Sequence, residues 1–113
     1  MPSTTGPAKP KLSLAIQYAC DDQRVPTRSQ LRRWIGAALE RDAIITLRIV
    51  DAKEGRALNG AYRKKDYATN VLTFVYGESP EGALSGDIVL CAPVVAKEAR
   101  QQRKQLRDHY AHL

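Results

Sequence analysis

"IITLRIVDAKEGRALNGAYRKKDYATNVLTF", residues 44–74, decides the fold. The first seven residues, 44–50, are rich in β-branched side chains and read as a strand. Asp51, with Glu54 three residues on, has the form of an N-terminal cap, so a short helix is predicted from there through about Tyr62. Its expected inner contacts are Leu58, Ala61 and Tyr62. A second apolar run, Val71 to Tyr76, reads as another strand. Between helix and strand come three consecutive cations, Arg63, Lys64 and Lys65, then Asp66 and the turn-forming pair Thr69–Asn70. A solvated loop needs fewer charges at the mouth of a core strand, and the excess asks for a partner.

Upstream, "LSLAIQYA" (12–19) alternates Leu12, Leu14, Ile16 and Tyr18 with small or polar neighbours, the pattern of a half-buried strand. "DDQRVP" breaks it, and Thr27 with Gln30 forms a capping box that opens a helix. Leu31, Trp34, Ile35, Ala38 and Leu39 then fall on one apolar stripe, with Arg28, Arg32 and Arg33 off it. Downstream, "GESPEGALSG" is a turn-rich connection of ten residues, and "DIVLCA" (87–92) reads as a strand buried on both faces. Pro93 suits the first turn of a helix, with Val94, Val95 and Ala99 as inner contacts. Leu106, Tyr110 and Leu113 recur at helical spacing, and that pattern is still running at Leu113.

The order β-α-β-α-β-β-α favours crossover connections between the early strands and permits a hairpin between the last two. The expectation is an α+β protein, a small mixed four-stranded sheet packed with helices. It forms a single domain over residues 12–113, behind a disordered leader at 1–11 that holds three prolines and a glycine.

The totals are those of an ordinary globular chain: 113 residues, 43% hydrophobic and 27% charged. No apolar run approaches the ~18 residues of a membrane span, and the N-terminus lacks a signal-peptide layout, so a cytoplasmic location without membrane contact is expected. Cys20 and Cys91 lie far apart in strand-like surroundings and read as reduced core thiols. Lys and Arg number 18 against 12 acids, a net charge of +6 that suits a polyanion, usually nucleic acid.

The residues alone leave the cation run open to two readings. Arg63 at a helix end is favoured by the helix dipole and needs no further role. It also offers a planar five-donor fork suited to phosphate, with Lys64 and Lys65 adding point charge. Asp66 either orients one of those cations or closes a surface ion pair, and Thr69 and Asn70 stiffen the loop by bonding its backbone. Lys97, Arg100, Lys104 and Arg107 step by three, four and three, so they are placed on one face of the last helical region. That row is either a solvated face or, beside Arg63, the second wall of a groove for a single strand. Tyr62, Tyr67 and Tyr76 are the aromatics nearest the loop for base stacking. His109 and His112 are the only histidines; two ligands do not make a zinc site, and one core and one surface histidine is the plainer reading. No P-loop, glycine-rich dinucleotide fingerprint or Ser-His-Asp arrangement is present.

"LRIVD…LNGAYRKKDYATNVLTF", "GDIVLC" and "EARQQRKQLRDHYAHL" together resemble the YbeY family of bacterial rRNA maturation factors, over about residues 44–113. The resemblance implies a zinc-dependent, single-strand-specific endoribonuclease that acts in 16S ribosomal RNA processing and ribosome quality control. Its partners would be single-stranded RNA, ribosomal RNA and the small ribosomal subunit, with no DNA. Arg63 matches the family arginine thought to engage the RNA phosphate, hence the catalytic candidate. Arg63, Lys64, Lys65, Asp66, Thr69, Asn70, Arg100 and Lys104 are the RNA-binding candidates. The family's zinc signature, His-Gly-x-Leu-His-Leu-x-Gly-Tyr-Asp-His, is absent from these 113 residues, and it would begin a few residues after Leu113. His109 and His112 match the helix leading into it and no ligand. A truncated member is therefore expected, with no metal site of its own. By itself it would be a basic RNA-binding module without catalysis.

Overall fold

The computed structural model describes residues 10–21, 24–80, 82–111 and 113. The elements run β1 (Leu12–Ala19), α1 (Arg28–Ala38), β2 (Ala43–Val50), α2 (Ala52–Arg63), β3 (Val71–Glu78), β4 (Leu84–Cys91), α3 (Ala92–Gln101) and α4 (Leu106–Ala111). The sheet order is β1-β2-β4-β3. β1 and β4 lie parallel to β2, while β3 pairs antiparallel with β4. Parallel neighbours require crossovers, supplied by α1 between β1 and β2, and by α2 with β3 between β2 and β4. The result is the α+β fold with a mixed four-stranded sheet that the sequence predicts.

Local chemistry explains the element starts. The Thr27 hydroxyl accepts from the Gln30 backbone N–H and the Gln30 side chain accepts from the Thr27 N–H, a complete capping box. The Asp51 carboxylate accepts from the Glu54 N–H at 2.8 Å and starts α2. Pro93 stands in the first turn of α3.

The inner face of α2 differs from the sequence reading. Gly55 and Asn59 are its buried residues, whereas Ala61 and Tyr62 are exposed. The cause is a close crossing: a Cβ at Gly55 would stand 2.9 Å from Cys91 Sγ, so the helix seats on its glycine. The hairpin also differs. Strand pairing extends to Glu78 and back from Leu84, leaving a turn closed by the Ser79 N–H to Ala83 C=O bond. The register shifts between Val75 and Gly77, so Tyr76 is the extra residue of a β-bulge. Gly86 faces the strand there: a Cβ would meet the Phe74 carbonyl oxygen at 2.6 Å.

The two sheet faces are packed unequally. Leu31 of α1, Leu47, Ile49 and Leu90 of the sheet, Ala92 and Val95 of α3 and Tyr110 of α4 form one apolar cluster. Val50, Leu72, Val89 and Cys91 form a smaller one, with Leu58 of α2 and Ala68 packed against it. Cys91 is buried and Cys20 half-buried; both are free thiols.

The last helical region is broken. Arg103 takes a left-handed φ of 54°, and the Lys104 N–H bonds the Ala99 carbonyl while the Arg103 N–H bonds that of Arg100. This is a Schellman stop, with arginine where glycine is usual. Lys97, Arg100, Lys104 and Arg107 therefore do not share one helical face: Lys97 and Arg100 lie on α3, Lys104 in the turn and Arg107 on α4.

Of the expected leader, residues 1–9 lie outside the described residues, as does His112. The Lys11 N–H already bonds Asp42 Oδ1 at 2.8 Å. Among the described residues no helix is long and apolar enough to cross a membrane.

Candidate nucleic-acid interface

The cation run sits where α2 ends. Arg63 is the last helical residue, and Lys64 takes a left-handed φ of 55° that turns the chain out of the helix. The Lys64 N–H bonds the Gly60 carbonyl, and the Lys65 N–H bonds that of Asn59 at 3.3 Å. All three cations are exposed, and among the described residues none has an ion-pair partner. Asp66 does not orient them: it pairs with Arg56 of α2, Nη2 to Oδ1 at 2.8 Å, in an exposed contact. Of the two readings of Asp66, the surface ion pair is the one observed.

The loop that carries the cations is pinned from beneath. Asn59, 1% exposed, donates from Nδ2 to the Tyr67 carbonyl at 2.7 Å. Ala68 packs into the smaller core cluster. At the far end the Cys91 N–H bonds the Asn70 carbonyl, joining the loop to β4. The Asn70 side chain turns away from its own loop and donates from Nδ2 to Glu98 of α3, 3.1 Å from Oε1. His109 of α4, 6% exposed, sets Nε2 against the same Glu98 oxygen at 3.1 Å. A carboxylate only accepts, so Nε2 carries the proton there. Buried groups thus stiffen the loop while its charges face solvent, an arrangement suited to holding an anion in fixed geometry.

Arg100 and Lys104 do not join this loop. Arg100 is two residues beyond Glu98, about 200° round the helix from the side chain that reaches Asn70. Thr69 is half-buried between the cations and Asn70. Asn59 and Glu98 were not singled out in the sequence, yet each left a signal. An asparagine in mid-helix is locally disfavoured, and Glu98 is an acid one residue from buried Ala99, in line with Val94 and Val95.

A second feature adjoins the loop. On the sheet face beside α2, Arg48 of β2 forms two hydrogen bonds with Glu54, one of 3.0 Å, and a third with Gln17 of β1 at 3.0 Å. The Glu54 bond raises the Arg48 pKa. Tyr76 donates its hydroxyl to Asp87 Oδ2. That bond, first among the causes, raises the Tyr76 pKa above the ordinary tyrosine value. Tyr62 and Phe74 meet edge to face, centroids 5.0 Å apart.

Zinc, which the family resemblance implies, finds no ligand set among the described residues. Among those described, no three His, Cys, Asp or Glu side chains converge as a metal site. His109 presents Nε2 to Glu98, while its Nδ1 is buried without a partner.

The sequence matches the family model described as Endoribonuclease YbeY over residues 16–113. Among curated relatives, the endoribonuclease YbeY of Thiobacillus denitrificans is 60% identical over 92% of this chain and 71% of its own length. That of Cupriavidus pinatubonensis is 54% identical over 98% of this chain and 58% of its own. The Burkholderia pseudomallei protein is 56% identical over 92% and 59%. The chain thus spans 58 to 71% of the lengths of these relatives. A Thermotoga maritima protein known from its solution structure superposes with a TM-score of 0.53 at 20% identity, over 83% of this chain and 63% of that one, a likeness of fold alone. Matched along nearly its whole length and closely related to several members, this chain belongs to the endoribonuclease YbeY family.

Proposed function

We propose that the complete protein is an endoribonuclease that cleaves single-stranded RNA during 16S ribosomal RNA maturation and ribosome quality control. Its partners would be ribosomal RNA and the small subunit, in the cytoplasm, and DNA is not a substrate. The observation that carries this reading is the pinned loop with Arg63, Lys64 and Lys65 exposed on it, in a chain whose relatives are named endoribonucleases. Lys64 and Lys65 hold phosphates by charge. Arg63 places its fork on the scissile phosphate and stabilises the charge that grows on its oxygens as the bond breaks. Asn59 and Glu98 act through the loop, fixing where those cations stand. Arg100 and Lys104 would touch phosphates further along the strand.

Zinc is proposed as the cofactor of complete members that carry the three-histidine signature. Among the described residues no ligand set for it converges. For this chain by itself the second reading, RNA binding without cleavage, is supported by the same loop: its residues bind and position phosphate.

The test uses Arg63→Ala and Arg63→Lys in the complete protein with a single-stranded RNA substrate. Alanine should abolish cleavage and shift stability by under ~0.5 kcal/mol, as expected for an exposed side chain. Lysine should rescue only in part because the planar fork is lost. Normal turnover by Arg63→Ala would remove Arg63 from the reaction.

A further inference from the structure

The cavity between α2 and the open part of the sheet has a volume of about 510 Å³, within the range of small-ligand sites. Tyr62, Phe74 and Tyr76 form its aromatic wall, and Thr46, Arg48 and Asp87 lie on the sheet beneath. We infer that it is a base subsite, taking one unpaired nucleobase of the RNA strand whose phosphates lie on the cation loop. This rests on the function proposed above and adds what that reading leaves open, the place where the strand's bases go.

Charge separates a base from a phosphate. Within the cavity Arg48 is committed to Glu54 and Gln17, and Asp87 adds a second carboxylate. Two carboxylates against one guanidinium repel a phosphate and accept from the N–H groups on the edge of a base. The aromatic wall supplies the stacking face. Tyr62 and Tyr76 are 66% and 69% exposed although both line a cavity, so their rings are not spent on the core. The bulge that makes Tyr76 the extra residue, with its hydroxyl anchored on Asp87, fixes that ring at the rim. Position completes the case. Tyr62 immediately precedes Arg63 on the last turn of α2, so the cavity adjoins the cation loop. One strand can set its phosphates on Arg63, Lys64 and Lys65 and turn an adjacent base inward.

The experiment measures binding of a labelled single-stranded RNA 10-mer to the 113-residue chain over a range of salt concentrations. It compares the wild type, Tyr62→Ala, Tyr76→Ala, Tyr76→Phe and Lys64→Glu, each checked by thermal melting. The same titrations are run with an RNA of equal length carrying abasic positions. Each alanine variant should bind the ordinary RNA at least about fivefold more weakly without changing the slope of log K against log salt. Tyr76→Phe, which keeps the stacking face and loses the Asp87 anchor, should fall between wild type and Tyr76→Ala. Lys64→Glu should flatten the slope, since each phosphate contact contributes about 0.7 to it. The abasic RNA should bind wild type as weakly as the alanine variants bind ordinary RNA, an arm that does not depend on how the variants fold. Salt-dependent binding that ignores both tyrosines and the abasic positions overturns the base subsite while leaving the proposed function standing. The tyrosine face would then fall to a protein partner. Absence of salt-dependent RNA binding overturns the RNA-binding reading of this chain and the subsite with it.

Discussion

Leu47, Arg48 and Ile49 are neighbours in β2, yet their side chains leave opposite faces of the sheet into unlike surroundings. Leu47 and Ile49, 2% and 0% exposed, enter the apolar cluster under α1, α3 and α4. Arg48 points the other way, where Thr46 of the same strand and Gln17 and Asp87 of the two neighbouring strands line the open cavity beside α2. Only toward Val50 and Cys91 does that second face close over, where Gly55 lets α2 come down. One face is therefore packed mainly with apolar side chains, with an apolar cavity of about 350 Å³ left between α1, the sheet and α4. The other pairs its charges in hydrogen bonds and leaves aromatic rings in solvent. Side chains that only fill space specify the fold, whereas a polar, half-covered face is stable in water and leaves its groups free to meet a ligand.

The most direct way to break this comparison is to truncate adjacent residues of the same strand. Ile49→Ala should destabilise the chain by about 2–5 kcal/mol, because a fully buried side chain leaves a cavity that its neighbours fill only in part. Arg48→Ala should cost no more than about 1 kcal/mol, the usual range for a partly exposed ion pair. Chemical denaturation of both variants decides it. Equal losses would mean that the cavity face contributes to the core as much as the packed face does.

A smaller effect is expected where the loop is tied to the helices. Glu98 accepts from both Asn70 and His109, and His109 already has one buried nitrogen without a partner. Glu98→Ala should cost about 1–3 kcal/mol, the penalty of leaving buried donors unpaired. Glu98→Gln should cost less, since its single carbonyl oxygen replaces two acceptors. Amide exchange at residues 64–70 should accelerate in both variants, in the same order. Unchanged exchange would show that the loop is rigid without this link, and would leave Asn59 as its main anchor.

Much of this was legible in the sequence. The strand at Leu12–Ala19, the capping box at Thr27, the Asp51 cap and Pro93 are local signals, and local chemistry decides them. The cation run at Arg63 stood out because charges are seldom placed next to a core strand. The misreadings have two causes, a close crossing with a residue distant in the chain and a local turn. Ala61 and Tyr62 turn outward because Gly55 meets Cys91. The basic row past Lys97 splits because Arg103 adopts a left-handed turn that helical spacing alone does not signal. Of the two readings left open for Asp66 the surface ion pair holds, with Arg56, ten residues back, as the partner. The cavity was the least legible part. Gln17, Arg48, Glu54 and Asp87 come from separate elements, and their meeting follows from the strand order, which a single sequence does not print.

The finest test of the two faces uses a proton. Tyr76 is the residue that the bulge places beside the cavity, and its hydroxyl donates to Asp87. A carboxylate that accepts this proton opposes its loss, so the Tyr76 pKa is raised in the folded state. The sign follows directly. A group that keeps its proton longer when folded contributes its stability fully below the unfolded tyrosine value of about 10, and that contribution is lost as pH rises through the folded value. Tyrosinate absorbance of the wild type minus that of Tyr76→Phe should therefore isolate a titration that is late for tyrosine. In an Asp87→Asn background the same difference should move to lower pH, because the neutral amide no longer holds the proton by charge. A difference curve that stays in place would mean that Asp87 does not hold Tyr76. The aromatic wall would then be a mobile ring on an exposed strand, and the contrast between the two faces would rest on Arg48 and Glu54 alone.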